Sequence, residues 1–205
     1  MPLNFVRFYV IGFALFAIPL TREFFINITA ITLLFVIGIV FYYHQKWNFK
    51  TIALFIFIGI STFVLEIFGV SGGEIFGIYQ YDNGLGLKLF ETPLIIGLNW
   101  LFLIYATQSI AGTISSMPII RILTAASLML IYDIVIETVA PIMRMWYFNT
   151  PYPPFKNFIA WFLAGLVFQT GLVVFKIDTN NKPARALIFI QIGFFLLIAL
   201  YSLIF

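Results

Sequence analysis

Long apolar runs dominate the sequence and restrict the folds that are open to it. A helix of about 20 apolar residues crosses a bilayer, because hydrocarbon offers no partner to a free backbone N–H or C=O group. The sequence therefore predicts an all-α fold, a polytopic membrane helix bundle with about seven transmembrane helices. The seven runs are residues 5–20, 24–43, 51–70, 92–112, 118–139, 156–177 and 184–205.

The composition agrees with a membrane protein rather than a soluble one. Hydrophobic residues make up 62% of the chain and charged residues 9%, far outside the usual range of soluble domains. No low-complexity linker divides the runs, so we expect residues 1–205 to form a single integral-membrane domain. The first run is followed by Thr21, Arg22 and Glu23 rather than by a small-residue cleavage site, which predicts a retained helix and not a signal peptide.

The cations are scattered singly at the ends of the runs, as is typical of membrane anchors, so nucleic-acid binding is not expected. If the chain alternates across the membrane, seven cations lie on the side of the N-terminus and four on the other side. By the positive-inside rule, this predicts a protein of the cell inner membrane with a cytoplasmic N-terminus and an external C-terminus. The seven are Arg7, Lys46, Lys50, Arg121, Lys176, Lys182 and Arg185.

The chain has no cysteine and a single histidine, His44. Zinc and haem sites usually need these residue types, so we expect neither a metal nor another cofactor. Magnesium held between carboxylates stays open as an alternative, although no phosphate-binding loop accompanies it.

Carboxylic acids concentrate in one stretch, residues 66–100, which holds four of the eight acids in the chain. These are Glu66, Glu74, Asp82 and Glu91. A glycine-rich loop follows Glu66, and we expect the three acids in it to be solvated. Asp82 is the strongest exception, because it directly follows two tyrosines.

Two long connections, residues 71–91 and 140–155, must lie on the same face of the membrane because two helices separate them. Several polar and aromatic residues should therefore lie together at that end of the bundle. They are Glu66, Asn99, Trp100, Asp133, Glu137, Asn157 and Trp161. Asn99 and Trp100 come seven to eight residues into the fourth run, which places them about 10–12 Å deep. We expect the whole set to converge in one leaflet.

Asp133 and Glu137 are four residues apart and share one face of a helix. Two adjacent carboxylates in a low dielectric cannot both ionise cheaply, so one should keep its proton near neutral pH. That arrangement places a general acid beside a general base. The alternative is that one acid pairs with Arg144 while the other meets interfacial water. Glu66 has a similar alternative, because an acid near the end of a run can be an interfacial anchor.

Aromatic residues accompany these acids. Tyr79 and Tyr81 alternate as in a short extended segment, which could fold back as a lid. With Trp100, Trp146 and Trp161, they could form the aromatic belt that is common at membrane interfaces. Alternatively, ring faces close to carboxylic acids could stabilise a carbocation.

Two blocks of residues carry a resemblance to a known family. The first consists of Glu66, Gly69, Phe76-Gly77, Tyr79-Gln80-Tyr81, Leu85-Gly86, Pro93-Leu94 and Trp100, and the second of Asp133, Glu137, Trp146, Pro151, Asn157 and Trp161. In order and spacing, the blocks resemble the carotenoid 1,2-hydratase family of CruF type, which includes bisanhydrobacterioruberin hydratase. The blocks span residues 66–161, about half the chain. Glu137-Thr138 stands where the family has an Asp-Pro pair.

The resemblance implies a carotenoid biosynthesis enzyme, a hydro-lyase that needs no cofactor. Such an enzyme adds water across the terminal C1=C2 double bond of an acyclic carotenoid such as lycopene and gives a tertiary alcohol. The implied partners are a carotenoid entering from the bilayer, water and membrane lipid, and no oligomeric state is implied. The implied catalytic residues are Glu66, Asp133 and Glu137, and the implied substrate-binding residues are Tyr79, Tyr81, Asp82, Asn99, Trp100, Trp146, Asn157 and Trp161.

Two other functions stay open. In the hydratase reaction, a carboxylic acid protonates the double bond and water captures the resulting carbocation. A membrane carotenoid (lycopene) cyclase would form a similar cation and trap it with a neighbouring double bond instead of water. A non-enzymatic proton-coupled transporter or lipid-binding scaffold would use the buried acids as a proton relay. Transport predicts polar groups in both leaflets, whereas these groups cluster in one, so the sequence favours an enzyme.

Overall fold

The computed structural model describes residues 2–205 as a helical protein, which confirms the predicted all-α class. Its helices are α1 (Pro2–Ala17), α2 (Pro19–Asn27), α3 (Thr29–Tyr42), α4 (Phe49–Gly72), α5 (Ile96–Ile114), α6 (Pro118–Glu137), α7 (Phe155–Val174) and α8 (Lys182–Ile204). Four short strands lie in the loops, namely β1 (Tyr79–Tyr81), β2 (Lys88–Leu89), β3 (Thr92–Pro93) and β4 (Trp146–Phe148).

Four helices, α4, α6, α7 and α8, are long and apolar enough to cross a membrane. Together α2 and α3 pass the same test but meet at a bend of 58°, so residues 2–205 offer four or five spans by length and composition. These helices make the chain an integral membrane protein. The predicted count of about seven is not confirmed, because α1 is short and α5 is not apolar enough to meet the same test.

Helix α5, which does not pass that test, lies at the centre of the bundle. Every residue from Asn99 to Ala111 is buried, and α3, α4, α6, α7 and α8 all pack against it. Protein side chains rather than lipid surround α5, so it tolerates polar residues that find partners inside the bundle. Thr107, for example, accepts a hydrogen bond from the Gln169 amide of α7 at 2.9 Å.

The first two apolar runs have different boundaries in the structure. Run 5–20 ends at Ala17, because Pro19 has no N–H to continue α1 and instead begins α2. Run 24–43 is interrupted at Ile28, where α2 gives way to α3. The chain therefore bends inside the second run, and Ile28 lines a cavity at the bend.

At one end of the bundle, the loop after α3 is tied to α5 and α8. His44 Nδ1 lies 2.9 Å from the Tyr105 hydroxyl of α5. The Asn181 side chain caps α8 and also donates to the Tyr105 hydroxyl at 3.3 Å. Lys46 and Asp178 form a salt bridge of 2.7 Å, and this contact lowers the pKa of Asp178 below its usual value. This region is named the His44 end below.

The opposite end carries the two long loops that follow α4 and α6. Strand β1 of the first loop pairs with β4 of the second as an antiparallel ribbon, with Tyr81 opposite Trp146. Tyr79 and Tyr81 are buried while Gln80 between them is exposed, so both tyrosines point into the bundle. The extended segment predicted at the two tyrosines is therefore present, and the ribbon closes this end of the molecule, named the ribbon end.

Close backbone approaches fix the ribbon. Gly73 ends α4 in the left-handed conformation, at φ 64°, and its carbonyl accepts a hydrogen bond from Lys156 Nζ at 2.7 Å. The Gly84 N–H donates to the Arg144 carbonyl at 2.7 Å. A side chain at position 84 would collide with the carbonyl oxygens of Met143 and Arg144. The two loops can pack this tightly only because residue 84 is glycine.

Candidate active site

Glu66 is a buried acid in the C-terminal part of α4, and its two oxygens accept three hydrogen bonds. The hydroxyls of Tyr79 and Tyr81 donate to Oε2 at 2.5 and 2.7 Å. The Trp100 indole Nε1 donates to Oε1 at 2.7 Å. Glu66 is only 3% exposed, so bulk water does not compete with these donors. Because all three partners are donors, the arrangement matches an ionised carboxylate held by the ribbon and by α5.

The sequence after Glu66 brings the ribbon close to this acid. Gly69 lies one turn further along α4, and Phe76 and Tyr79 pack directly over it, where a side chain would overlap the Phe76 ring. Alternation along β1 then turns Tyr79 and Tyr81 to the same side. Burial, and next the adjacent Glu66 carboxylate, raise the pKa of both tyrosine hydroxyls above the usual value near 10. Both tyrosines therefore stay neutral hydrogen-bond donors.

Asp133 and Glu137 form a second acidic group on the last turns of α6. Asn157 Nδ2 of α7 donates to Asp133 Oδ2 at 3.0 Å and to Glu137 Oε1 at 3.4 Å. The Trp146 indole of β4 donates to the other Glu137 oxygen at 3.0 Å. Asp133 is fully buried, and its Oδ1 has no hydrogen-bond partner within residues 2–205. An unpartnered buried carboxylate oxygen is costly, so the group formed by Asp133 and Glu137 favours holding a proton.

Neither α6 acid pairs with Arg144, which the sequence offered as an alternative partner. Arg144 instead forms a salt bridge with Glu23 of α2 at 2.6 Å, on the surface of the ribbon end. Across the described part of the chain, the other salt bridge joins Lys46 and Asp178 at the His44 end. The two acids of α6 therefore rely on neutral amide and indole donors.

Aromatic rings enclose the space between the two acidic groups. Trp100 of α5 stacks on Trp161 of α7, with ring centroids 3.9 Å apart and planes inclined by 16°. Across the ribbon, Tyr81 meets Trp146 edge to face at 6.1 Å, and Tyr79 packs on Tyr81 at 5.5 Å. Ring faces carry negative potential, so such an enclosure can stabilise a positively charged carbon.

A small cavity of about 20 Å³ lies between the acids. Glu66 lines it from α4, and Glu137 lines it from α6. Asp133 does not line this cavity. It accepts a hydrogen bond from Asn157, which does line it. Glu137 is therefore the α6 acid that faces the cavity.

A second cavity, of about 130 Å³, adjoins the small one and is almost entirely apolar. Helices α1, α2, α3, α5, α6 and α8 line it, together with loop residues such as Leu85 and Met145. Its lining includes Ile11, which is 60% exposed on the outer face of α1. The residues that line both cavities are Ile96, Asn99, Tyr132, Ile136 and Trp146. The apolar cavity thus extends from lipid-facing helices to the wall of the acidic one.

The structure brings eight of the predicted site residues to the small cavity. They are Glu66, Tyr79, Tyr81, Asn99, Glu137, Trp146, Asn157 and Trp161. Trp100 and Asp133 lie one layer behind, in contact with Glu66 and Asn157 respectively. Asp82 lies outside the group, because its Oδ1 accepts the Asn83 N–H at 2.7 Å and caps a short 3-10 turn.

Three residues that the sequence reasoning did not single out form a polar chain beside the apolar cavity. Tyr132 donates to Gln191 Oε1 at 3.1 Å, and Gln191 Nε2 donates to the Tyr9 hydroxyl at 2.9 Å. The available signal was Gln191, a lone amide inside the apolar run 184–205. This run lines the apolar cavity through Gln191, Phe194 and Phe195.

The functional groups at the site are carboxylic acids, the amides of Asn99 and Asn157, phenols and indoles. The lysines near the ribbon each donate to a backbone carbonyl: Lys88 to Tyr81 at 2.6 Å and Lys156 to Gly73 at 2.7 Å. Arg144 is engaged by Glu23. Within residues 2–205, no three His, Cys, Asp or Glu residues are grouped so that they could hold a metal ion. These groups can exchange protons and enclose a cationic carbon.

The bundle and its buried acids define a helical membrane protein with a carboxylate site under an aromatic ribbon. Residues 25–205 match the model of a family described as carotenoid biosynthesis protein, and the chain belongs to this family. Its role therefore lies in carotenoid biosynthesis, and the resemblance drawn from the two sequence blocks is confirmed at the level of the family. No curated protein matches the chain, and no solved structure matches it.

Proposed function

We propose that the chain is a carotenoid 1,2-hydratase, which adds water across the terminal C1=C2 double bond of an acyclic carotenoid. The observation that carries the proposal is that Glu66 and Glu137 line an aromatic cavity that shares a wall with an apolar one. Membership of the family supplies the carotenoid class of substrate. The acids supply a means of protonating its terminal double bond.

The reaction begins with a proton on Glu137. This proton passes to C2, where the π electrons of the double bond form the new C–H bond and leave a tertiary cation at C1. A water molecule then bonds to C1 through its oxygen and releases one proton to a carboxylate, which gives the tertiary alcohol. One proton is donated and one is returned, so the acids are restored when the returned proton reaches Glu137. General acid catalysis of this kind contributes about 10²–10⁴-fold.

Asp133 supports Glu137 through the amide of Asn157. That amide donates to both acids, at 3.0 and 3.4 Å, which joins the two acids into one hydrogen-bonded group. Two neighbouring carboxylates in buried surroundings cannot both ionise cheaply, so the pair holds one proton near neutral pH. Glu137 faces the cavity and Asp133 does not, so Glu137 contacts the substrate and Asp133 is a positioning residue.

Glu66 provides the negative charge on the other side of the cavity. Its Oε1 accepts only the Trp100 N–H, so a lone pair remains for the proton of the attacking water. The carboxylate is fixed before the reaction starts, and fixed charges stabilise a developing cation without reorganisation. The ring of Trp161, which lines the same cavity, shields the cation from other nucleophiles.

The polyene enters from the bilayer through the apolar cavity, between α1 and the bend of α2 and α3. Its reacting end then lies at the wall formed by Asn99 and Trp146, while water arrives from the ribbon end. The positive-inside rule assigns the N-terminus to the cytoplasm. The ribbon end, which is opposite the N-terminal side in the alternating path, then faces outward from the inner membrane.

Expression in lycopene-accumulating cells, with mass detection of the extracted carotenoids, tests the proposal. Hydration adds about 18 mass units for each reacted end, the mass of the water that general acid catalysis incorporates. A cyclic isomer of unchanged mass would identify a cyclase instead. An unchanged pigment profile with several acyclic carotenoids would contradict both enzymes and favour a transporter or a lipid-binding scaffold.

A further inference from the structure

A cavity of about 680 Å³ opens at the His44 end, remote from the carboxylate site. It lies where the start of α6, the end of α7 and the start of α8 meet. Three cations line it, Arg121, Lys176 and Arg185, together with one acid, Asp178. In a chain with eleven Lys and Arg residues in total, three at one cavity are a substantial local concentration.

The three cations have no carboxylate partner in the described chain. Asp178 is engaged by Lys46 at 2.7 Å and forms no salt bridge with Arg121, Lys176 or Arg185. The other salt bridge within residues 2–205 lies at the ribbon end. The cavity therefore carries positive charge that the protein itself leaves uncompensated.

Arg121 provides the strongest evidence for an anion site. Its Nε is buried and has no hydrogen-bond partner within residues 2–205. The guanidinium lies over Gly112 of α5, where an added Cβ would be 3.5 Å from one of its terminal nitrogens. A cation that is partly withdrawn from water without a partner is unfavourable, so an anion beside it would relieve the cost.

Arg185 approaches the same cavity from α8. Its Nη1 donates to two neutral oxygens, Ser109 Oγ and Asn180 Oδ1, both at 3.1 Å. These bonds fix the orientation of the guanidinium but leave its charge uncompensated. A fixed guanidinium fork is well matched to the oxygens of a phosphate group.

We infer that this cavity binds a phosphate group, carried by an anionic lipid headgroup or free in solution. The cavity wall continues from the cations into apolar side chains near the end of α7, Leu172, Val173 and Ile177, as a bound lipid would require. The inference does not rest on the hydratase proposal, because this cavity shares no lining residue with the small acidic cavity or with the apolar cavity beside it. Failure of either leaves the other standing.

Titration of the full-length protein in a neutral detergent tests the inference, with native mass spectrometry to count bound molecules. The probes are short-chain phosphatidylglycerol, short-chain phosphatidylcholine, inorganic phosphate and pyrophosphate. We expect phosphatidylglycerol to bind in preference to phosphatidylcholine. Removal of each cation should weaken that binding about fivefold, so Arg121→Gln with Arg185→Gln should weaken it about 25-fold. Lys182→Gln is the matched control, because this cation begins the same helix as Arg185 but does not line the cavity.

The probes separate the two sources of phosphate. Competition by inorganic phosphate or pyrophosphate would identify a soluble ligand, whereas binding of the lipid alone would identify a headgroup. Equal binding of the two lipids without phosphate binding would overturn the inference, and so would an equal loss in the Lys182→Gln control. The paired change of Arg121 and Arg185 to Lys keeps the charge. If that variant melts normally in detergent, it must retain a preference for phosphatidylglycerol, and loss of the preference there would also overturn the inference.

Discussion

The side chain of Glu137 contacts the ribbon, helix α7 and the small cavity. Its oxygens accept hydrogen bonds from the Trp146 indole and the Asn157 amide, and the carboxyl group lines the small cavity. Asp133, one turn earlier, has lower exposure but no place in the lining. The difference between these two acids assigns contact with the substrate to Glu137.

The change Glu137→Gln should lower formation of the hydrated carotenoid by about 10²–10⁴-fold, because it keeps the shape of the side chain and removes the transferable proton. Product is measured by mass in lycopene-accumulating cells at equal protein level. Glu74→Gln, an exposed acid in the loop after α4, is the control and should leave product unchanged. Asp133→Asn should cost less than Glu137→Gln, because the acid facing the cavity is retained. A fully active Glu137→Gln protein would show that another group donates the proton.

His44 predicts how stability depends on pH. Burial lowers the pKa of its imidazole below the usual 6.5, since the ring packs against Trp47, Phe55 and Tyr105 and its Nε2 has no partner in the described chain. Because the pKa of His44 is lower in the folded protein than in the unfolded chain, neutral His44 contributes its full stabilisation above the pKa of the unfolded chain. This stabilisation is lost as the pH falls through the pKa of the folded protein. The melting temperature of the purified protein should therefore drop on acidification below about pH 6.5. His44→Asn, which keeps a polar group near Tyr105, should reduce that dependence, and equal slopes for the two proteins would contradict the account.

At the residue scale, the sequence predicted which end of the bundle holds the acids, but not which of them faces the cavity. Two predicted spans separate the loops 71–91 and 140–155, so both loops had to lie at the same end of the bundle. This placed Glu66 at the same end as Asp133 and Glu137. Which α6 acid faces the cavity depends on Asn157, a contact between residues distant in sequence. Asp82 was grouped with the site because it follows Tyr81, but a local cap on the next residue uses its carboxylate.

At the scale of elements, the β1–β4 ribbon joins the two acidic groups. It carries the two tyrosines that bind Glu66 and the tryptophan that binds Glu137. The alternation of Tyr79 and Tyr81 predicted an extended segment, because side chains in a strand alternate between faces. Its partner could not be predicted, since the pairing strand lies more than 60 residues away and contains only three residues.

Gly84→Ala should disturb the ribbon without unfolding the bundle. The added Cβ would collide with the carbonyl oxygens of Met143 and Arg144 and push the two loops apart. Product formation should fall about tenfold or more, because small displacements of reacting groups are expensive. Gly193→Ala in α8 is the matched control, since no atom lies within 4 Å of the new Cβ.

The control should be as active as the unchanged protein and equally or slightly more stable, because alanine favours a helix by about 0.5–1 kcal/mol over glycine. Activity and melting temperature are measured on the same membranes. If Gly84→Ala is as active as Gly193→Ala, the ribbon does not hold the site.

The sequence predicted that each apolar run is helical, but it predicted the boundaries of the helices less well. Every apolar run contains helix, because hydrocarbon leaves the backbone no other partners. The break at Ile28 was not predicted, since no proline or glycine marks it in the sequence. The central position of α5 was not predicted either, although the buried polar residues Thr107, Gln108 and Ser109 distinguish this helix from the lipid-facing ones.

At the scale of the whole molecule, the bundle separates two polar regions along its axis. The carboxylates lie at the ribbon end and the uncompensated cations at the His44 end, and α5 runs between them for about 28 Å at 1.5 Å per residue. The apolar cavity extends from the wall of the carboxylate cavity to Ile11, which is exposed on the outer face of α1. This arrangement is suited to a long apolar substrate that reacts at one end.

Gly12→Leu tests access from the bilayer. A side chain at this position of α1 points at Phe25 and Phe194, which line the apolar cavity, with an added Cβ 3.1 Å from the Phe25 ring. Leucine should occupy part of the cavity and lower product formation about tenfold or more by displacing the substrate. Gly38→Leu on α3 is the control, because its Cβ would meet nothing within 4 Å. Equal activity of the two variants would place the substrate elsewhere.

The origin of the oxygen in the product distinguishes hydration from every other reaction of the carotenoid. Membranes containing the protein are incubated with an acyclic carotenoid in water enriched in ¹⁸O, and the extracted product is analysed by mass. Capture of a carbocation by water predicts an alcohol about 2 mass units heavier than the product made in ordinary water, with this signal lost in Glu137→Gln. A product of unchanged elemental composition, or an oxygenated product without the heavy isotope, would contradict hydration at this site.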